Sequence, residues 1–328
     1  MDNGVLLASM QFLSPVTMRN IFLIHSLLLP TALSFTVPIP SLLSRAITTW
    51  PSHHYTVMSL SSTNSLYTAI SHELSQAIGH AVQLTPASGG GASGGGGAST
   101  GIARDLATGT NYFCKVAASS SSSSSSDMLQ AEYYGVQELA ASRTIRVPTP
   151  LCYGKDGTRA FVVFEYLQFC SGGSGRETGV QLAKMHRTLS SNGLFGFHVD
   201  NTIGATPQPN LPWKEDWADF WDTHRLGHML ELMDNANYGH EEIEKLRMKT
   251  RQLLSHKPEP SLLHGDLWGG NKGYVRETDG TVVPVIFDPA TYYGDREADI
   301  AMTYLFGGFG PDFYQGYESE WPLPEVRI

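Results

Sequence analysis

The chain contains little cysteine and has no excess of basic residues. Its 328 residues include three cysteines, Cys114, Cys152 and Cys170, which are too few for a disulfide framework and fit a reducing compartment. We expect each of them to be a free thiol. The formal net charge is −9, and no basic stripe is present that would neutralise a phosphate backbone. These features argue against a nucleic-acid-binding surface.

Acidic residues are absent from residues 3–72. Within this segment Arg19 precedes an apolar run at residues 21–29, which is shorter than a membrane-spanning helix requires. Small residues at 31–34 and a Ser/Thr-rich stretch with Arg45 follow. The order resembles a bipartite plastid presequence, although a plain secretory signal and an internal start at Met58 stay open. We predict that residues 1–58 are a targeting presequence, disordered or removed, so that the mature plastid protein has no membrane segment. An internal start would leave the protein in the cytoplasm.

The motif with the most chemical content is LHGDLWGGN at residues 263–271, followed by IFD at residues 286–288. Phosphoryl transfer from a metal-bound nucleotide needs a carboxylate near the attacking hydroxyl, and an amide and a second carboxylate to hold the metal. Asp266, Asn271 and Asp288 offer these groups at the Asp-to-Asn spacing of protein kinases, with Gly265 where those enzymes have Arg. A single Asp is usually a turn former or a cap, but three polar groups at this spacing favour a kinase of small molecules.

A glycine-rich run, GGGASGGGGASTG, covers residues 89–101. By itself such a run is typical of a flexible linker. Strands predicted at 102–106 and 112–116 follow it, and Lys115 lies at the end of the second one. This register favours a hairpin whose loop, with Gly95, Gly96 and Gly97, covers a nucleotide.

Periodicity and turn residues predict the remaining elements. We expect helices over residues 65–79, 128–142, 176–189, 213–233 and 241–256. We expect buried strands over residues 159–167 and 282–287, because both runs are continuously apolar. A Gly/Ser break at residues 171–175 indicates a boundary between two lobes.

Taken in order, several motifs resemble the fructosamine-3-kinase (ketosamine-3-kinase) family. They are HGDLWGGN at 264–271, PVIFDPA at 284–290, YGDREADIAM at 293–302, LFGGF at 305–309, FGF at 195–197 and DNTIGATPQPN at 200–210. The similarity runs from about residue 65 to the end of the chain. The resemblance implies a two-lobed α+β fold of the protein-kinase-like type, with a β-rich N-lobe at 65–170 and a helical C-lobe at 171–328.

The resemblance also implies the roles of individual residues. Asp266 is the expected catalytic base, and Asn271 and Asp288 are the expected ligands of Mg²⁺. Lys115 would pair with the phosphates of ATP and with Glu132 on the next helix. The adenine would be held by the backbone of a hinge formed by Glu165, Tyr166 and Leu167.

Other residues are expected to support the site. His264 and Asp299 would clamp the catalytic loop through hydrogen bonds. Trp268 would stack on the sugar or amine, although a core tryptophan is nearly as good an interpretation. Asn201 would line the substrate site or merely cap a helix, and these two interpretations rank equally. His186 is interpreted as a packing or hydrogen-bonding histidine.

The activity implied is ATP-dependent phosphorylation of the 3-hydroxyl of ketosamines carried by proteins or by glycated amino acids. Two alternatives stay open: a kinase of another small hydroxylated amine, such as an aminoglycoside or choline, and an inactive nucleotide-binding regulator.

Two departures from the family are visible. The glycine-rich run lacks the cysteine that many relatives carry there, so redox regulation through it is not expected. The chain also ends before the family's last helices, for which a truncated gene model is our first explanation.

Overall fold

The computed structural model describes residues 64–87, 98–118, 124–157, 159–232, 239–305 and 307–323. The predicted presequence at 1–58 and the loop residues Gly95, Gly96 and Gly97 lie outside these ranges.

The N-terminal half is built on a five-stranded antiparallel sheet in the order β1-β2-β3-β5-β4. Its strands are β1 Leu84–Pro86, β2 Ala98–Asp105, β3 Asn111–Ala118, β4 Pro150–Asp156 and β5 Arg159–Glu165. Two helices belong to this half, α1 Asn64–Ile78 before the sheet and α2 Ser124–Ala141 between β3 and β4. The helix predicted at 65–79 and the hairpin of the second and third strands are therefore present, with bounds shifted by a few residues.

Both faces of the sheet are covered, which explains why β5 is apolar without interruption from Ala160 to Phe164. Phe161 and Val163 pack into one buried cluster with α1 residues such as Leu74. Val162 and Phe164 belong to a second cluster with residues of α2. Because successive side chains of a strand point to opposite faces, each face of β5 receives half of the apolar run. On β3, Cys114 lies on the α1 side, so Lys115 is directed to the α2 side.

The C-terminal half is mainly helical. Its helices are α3 Gly175–His186, α4 Trp217–Trp221, α5 His228–Leu232, α6 His240–Leu253, α7 Glu297–Leu305 and α8 Pro311–Glu320. Three small antiparallel pairs accompany them: β6 Asn201–Ile203 with β7 Thr206–Gln208, β8 Ser261–Leu263 with β11 Tyr292–Gly294, and β9 Lys272–Arg276 with β10 Val282–Ile286. This two-lobed α+β architecture confirms the predicted fold class. The lobe bounds 65–170 and 171–328 stay predictions.

One predicted helix differs from the structure. The continuous helix expected over 213–233 begins only at Trp217 and widens into a π-helical segment, Asp222–Gly227, before α5. Within the wide turn Arg225 is buried and donates to the backbone oxygen of Pro209 at 2.5 Å and to Asn210 Oδ1 at 2.9 Å. In the π segment the buried guanidinium of Arg225 thus bonds to the loop at residues 209 and 210. A search for helical periodicity does not detect such a contact.

In the described ranges, no helix combines the length and the apolar composition needed to cross a bilayer.

Replacing Leu74 by Ala tests the packing of α1 on the sheet. Its side chain is 0% exposed, so we expect the free energy of unfolding to fall by about 2–5 kcal/mol through lost burial and an unfilled cavity. Chemical denaturation followed by circular dichroism measures the change. His72→Ala on the same helix is the control, because the His72 side chain is 66% exposed, and it should stay within about 0.5 kcal/mol of the parent. Equal stability of the two variants would show that α1 is not part of the core.

Candidate active site

Lys115 lies at the meeting point of three parts of the fold. Its Nζ donates to Glu132 Oε1 on α2 at 2.7 Å and to Asp288 Oδ1, after β10, at 2.8 Å. The lysine is only 6% exposed. Burial by itself lowers the pKa of Lys115, but the two carboxylates outweigh this effect and raise the pKa above its usual range. The ammonium is therefore charged at neutral pH and is available to pair with phosphate oxygens.

Asp266, Asn271 and Asp288 are brought together around the amide of Asn271. Its Nδ2 donates to the backbone oxygen of Asp266 at 2.8 Å, to Asp266 Oδ2 at 3.3 Å and to the backbone oxygen of Asp288 at 3.4 Å. Burial raises the pKa of Asp266 to about 7, against the opposing effect of the bond from Asn271. The carboxylate thus lies in a poorly solvated position, where accepting a proton is easier than in water.

The donor set fits Mg²⁺. Since Asn271 uses its Nδ2 inside the loop, its amide oxygen is left as a possible ligand, and the carboxylate of Asp288 is 41% exposed. Hard cations such as Mg²⁺ prefer oxygen ligands of these kinds and usually retain water as well. Asn271 and Asp288 are therefore suited to hold the ion.

The backbone at Asp288 is strained. Its φ is 57°, a region that residues other than glycine adopt infrequently. The segment is fixed on its N-terminal side, where Phe287 N donates to Asn271 O at 3.0 Å and Phe287 O meets His264 Nε2 at 2.9 Å. Strain of this kind persists where the surroundings over-determine the conformation. Here it sets the carboxylate of Asp288 against Lys115.

Asp299 holds the backbone at the start of the loop that carries Asp266 and Asn271. Its carboxylate accepts from His264 N at 2.7 Å and from Gly265 N at 2.9 Å, and it also meets His186 Nε2 at 3.1 Å. Although burial opposes it, the contact with His186 and these donors lowers the pKa of Asp299. His186 is linked in turn to the hydroxyl of Tyr317 at 2.7 Å. Asp299 therefore links His186 to the backbone of His264 and Gly265, and the supporting role expected of it stays a prediction.

The imidazole ring of His264 in this loop is uncharged and makes hydrogen bonds through both of its nitrogen atoms. Its Nε2 is bonded to Phe287 O and its Nδ1 accepts from Asp266 N at 3.2 Å, which describes one tautomer of the uncharged ring. Burial lowers the pKa of His264 and so favours that uncharged form. Gly265 follows with φ of +81°, and a Cβ there would lie 2.0 Å from the backbone oxygen of Ala290. A larger residue at 265 does not fit this loop.

The predicted hinge is fixed by an ion pair that sequence reasoning missed. Arg146 Nη2 donates to both carboxylate oxygens of Glu165, at 2.6 and 2.7 Å, and its Nε donates to Glu277 Oε1 at 3.3 Å. Tyr166 is 37% exposed and Leu167 is half-buried. The partners of Arg146 are distant in sequence and carry no motif, so no sequence signal indicated this contact.

Trp268 and Asn201 are placed differently. Trp268 lies between Asp266 and Asn271 in the loop and is 41% exposed; its stacking role stays a prediction. Asn201 is 8% exposed, its Nδ2 donates to Thr291 O at 2.8 Å and its Oδ1 accepts from Gln208 at 2.8 Å. Both polar atoms of the Asn201 amide thus make hydrogen bonds within the protein, and neither bond caps a helix. The role of Asn201 at the substrate site stays a prediction.

Replacing Asp299 by Ala removes a buried acceptor of several donors. Two backbone N–H groups and His186 would be left without this partner, so we expect the free energy of unfolding to fall by about 3–5 kcal/mol. Thermal and urea denaturation measure it. Glu318→Gln, on the exposed side of α8, is the control and should leave the stability almost unchanged. If Asp299→Ala lowers the free energy of unfolding by less than about 1 kcal/mol, Asp299 does not stabilise the loop backbone as expected.

Comparison with known proteins gives consistent matches. The fructosamine kinase family profile matches residues 66–326. A probable ketoamine kinase of Vibrio cholerae is 39% identical over 265 residues, covering 79% of this chain and 86% of that protein. A probable ketoamine kinase of Synechocystis is 48% identical over 60% of this chain, and a chloroplastic protein-ribulosamine 3-kinase of Arabidopsis thaliana is 40% identical over 60% of it. The matches span 65% and 60% of those two relatives, which is less than two thirds of their length.

Solved structures give the same picture. A putative fructosamine-3-kinase of Haemophilus somnus superposes with a TM-score of 0.67 at 27% identity, covering 80% of this chain and 86% of that one. A putative fructosamine-3-kinase of Thermobifida fusca gives 0.61 at 25% identity, covering 78% and 85%. The fold of this chain is therefore that of these proteins.

Proposed function

The chain belongs to the fructosamine kinase family, and we propose that it transfers the γ-phosphoryl group of ATP to the 3-hydroxyl of ketosamines on protein amines. The observation that carries the proposal is a chain of hydrogen bonds that brings four residues together: Lys115 bonds to Asp288, and Asn271 bonds to both Asp288 and Asp266. Relatives named ketoamine kinase and protein-ribulosamine 3-kinase support the substrate class.

In this mechanism each residue has a distinct task. Asn271 and Asp288 would hold Mg²⁺, which supplies positive charge to the phosphates. Lys115, kept in place by Glu132, would pair with phosphate oxygens. Asp266 would accept the proton of the 3-hydroxyl as that oxygen bonds to the γ-phosphorus and ADP leaves. Because the transition state of such transfers is largely dissociative, the positions of these groups matter more than the basicity of Asp266.

The product of this reaction is a 3-phosphorylated ketosamine. It is less stable than its precursor and eliminates to release the amine, so the proposed biological role is protein deglycation. Trp268 is proposed as a platform for the sugar or the amine, since an exposed aromatic face beside the base can cover an apolar face of a sugar ring. The glycine-rich residues Gly95, Gly96 and Gly97 are proposed as the cover of the phosphates.

Asp266→Asn provides the direct test. We expect turnover with Mg-ATP and fructoselysine or ribuloselysine to fall by at least about 10³-fold, because the proton acceptor is lost, while ATP binding stays within a few-fold. A coupled assay for ADP and calorimetry of a non-hydrolysable ATP analogue measure the two quantities. Asp279→Asn, in the exposed turn between β9 and β10, is the matched control and should retain full activity.

The same assay separates the alternatives. Turnover only with amines that carry no ketose would favour a kinase of another hydroxylated amine. Nucleotide binding without turnover on any acceptor would favour a regulator. Either result contradicts the proposed function.

We also propose plastid targeting by residues 1–58. The lack of acidic residues over 3–72 and the chloroplastic relatives support it. Expressed in a plastid-containing cell, a fusion of residues 1–58 to a fluorescent protein should enter the plastid, whereas a fusion that begins at Met58 and continues through the folded part should stay in the cytoplasm. Cytoplasmic fluorescence from both fusions would contradict targeting.

A further inference from the structure

Phe169, just beyond the hinge, presents an aromatic ring with a large open face. It is 53% exposed, although its backbone is tied to the C-terminal half. Phe169 bridges to Val275 in antiparallel fashion, and the N–H of the next residue, Cys170, donates to Tyr274 O at 2.8 Å. The ring is thus held on a fixed backbone while more than half of the residue's surface is open to solvent.

Gly273 makes the room that this ring occupies. A Cβ on Gly273 would lie 2.7 Å from Phe169 Cδ1 and 2.8 Å from Cε1, which is too close for any side chain. Gly273 is two residues after Asn271, and the residue between them is extended, with φ of −133° and ψ of 157°. In extended backbone, residues two apart face the same side. Gly273 therefore faces the same side of the backbone as Asn271, and the ring of Phe169 occupies the space that a side chain at 273 would need.

Phe287 supports the same ring from the side. The centroids of Phe169 and Phe287 are 5.1 Å apart, with the ring planes at 45°, a favourable arrangement for two aromatic rings. Phe287 immediately precedes Asp288, and its backbone is bonded to Asn271 and His264. The Phe169 ring consequently lies between the hinge on one side and the residue next to a proposed metal ligand on the other.

We propose that Phe169 forms the floor of the purine site, so that the base of the nucleotide stacks on its open face while the hinge backbone bonds the edge of the base. This proposal rests on the proposed function for the location of the nucleotide. The ring of Phe169, from the segment just beyond the hinge, occupies the space that a side chain at position 273 of β9 would need. Stacking is tolerant of the base's identity, so Phe169 sets affinity and the hinge sets the choice between adenine and guanine.

A four-member cycle on the full chain tests the geometry: the parent, Phe169→Ala, Gly273→Leu and the double variant. Calorimetry with a non-hydrolysable ATP analogue gives the dissociation constant, and steady-state kinetics give KM for ATP and for the ketosamine. Phe169→Ala should weaken nucleotide binding by about tenfold or more, with KM for the ketosamine unchanged. Gly273→Leu alone should also weaken binding, because its side chain displaces the ring.

The double variant gives the decisive result. With the ring removed, a leucine at 273 enters the emptied space and offers a new apolar floor, so nucleotide binding should return to within about threefold of the parent. Phe169→Tyr keeps the ring and should bind like the parent. Leu189→Ala, which removes a 40% exposed apolar side chain elsewhere, should have no effect on the dissociation constant.

Two results would overturn the proposal: nucleotide binding unchanged in Phe169→Ala, or a double variant that binds no better than Gly273→Leu. Melting temperatures of all variants show whether a loss reflects unfolding. The outcome is separate from that of the proposed function. If the parent phosphorylates ketosamines and Phe169→Ala has the same KM for ATP as the parent, only the proposal for Phe169 is contradicted. If the parent binds nucleotide but shows no turnover, the proposed function is contradicted. The dissociation constants of the four proteins can then still be compared.

Discussion

The buried ammonium of Lys115, held between Glu132 and Asp288, is the contact on which the geometry of the site depends. It joins the central strand of the sheet, the helix α2 and the segment after β10 through two bonds of 2.7 and 2.8 Å. A charge in such a position is tolerated only if its partners are in place, because an unpaired buried charge is strongly unfavourable. The three elements must therefore be arranged together before the lysine is stable, and this arrangement also sets Asp288 beside Asn271 and Asp266.

Packing decides whether Glu132 can be one of those partners. Leu129, Val136 and Leu139 of α2 are almost fully buried in the cluster that continues into the C-terminal half. Near the other end of the helix Glu138 Oε1 accepts from the hydroxyl of Tyr293 at 2.5 Å. Apolar contact fixes the distance of α2 from the sheet, and the Glu138 bond fixes its rotation. The position of a polar residue in the site is thus determined by residues that take no part in the chemistry.

Much of this was visible in the sequence. The apolar run of β5, the order of Lys115 and Glu132 and the motif around Asp266 could be read directly, because each depends on local pattern or on short spacing. Arg146 and the π segment at Asp222–Gly227 could not. Arg146 acts through partners at positions 165 and 277, and a π turn arises from tertiary contacts rather than from the helical propensity of its residues. The sequence allows two interpretations of Asn201, since sequence alone does not tell whether an amide already forms hydrogen bonds within the protein.

The same limit explains Phe169. Neither Phe169 nor Gly273 stands out in the sequence when it is considered by itself, and about a hundred residues separate them along the chain. Only the fold shows that one occupies the space the other leaves empty. The two residues have to be considered together, because the effect of a substitution at one position depends on the residue at the other. The effect of a substitution near the site therefore depends on which neighbouring side chain packs against the changed residue. The sequence motif around Asp266 does not identify that neighbour.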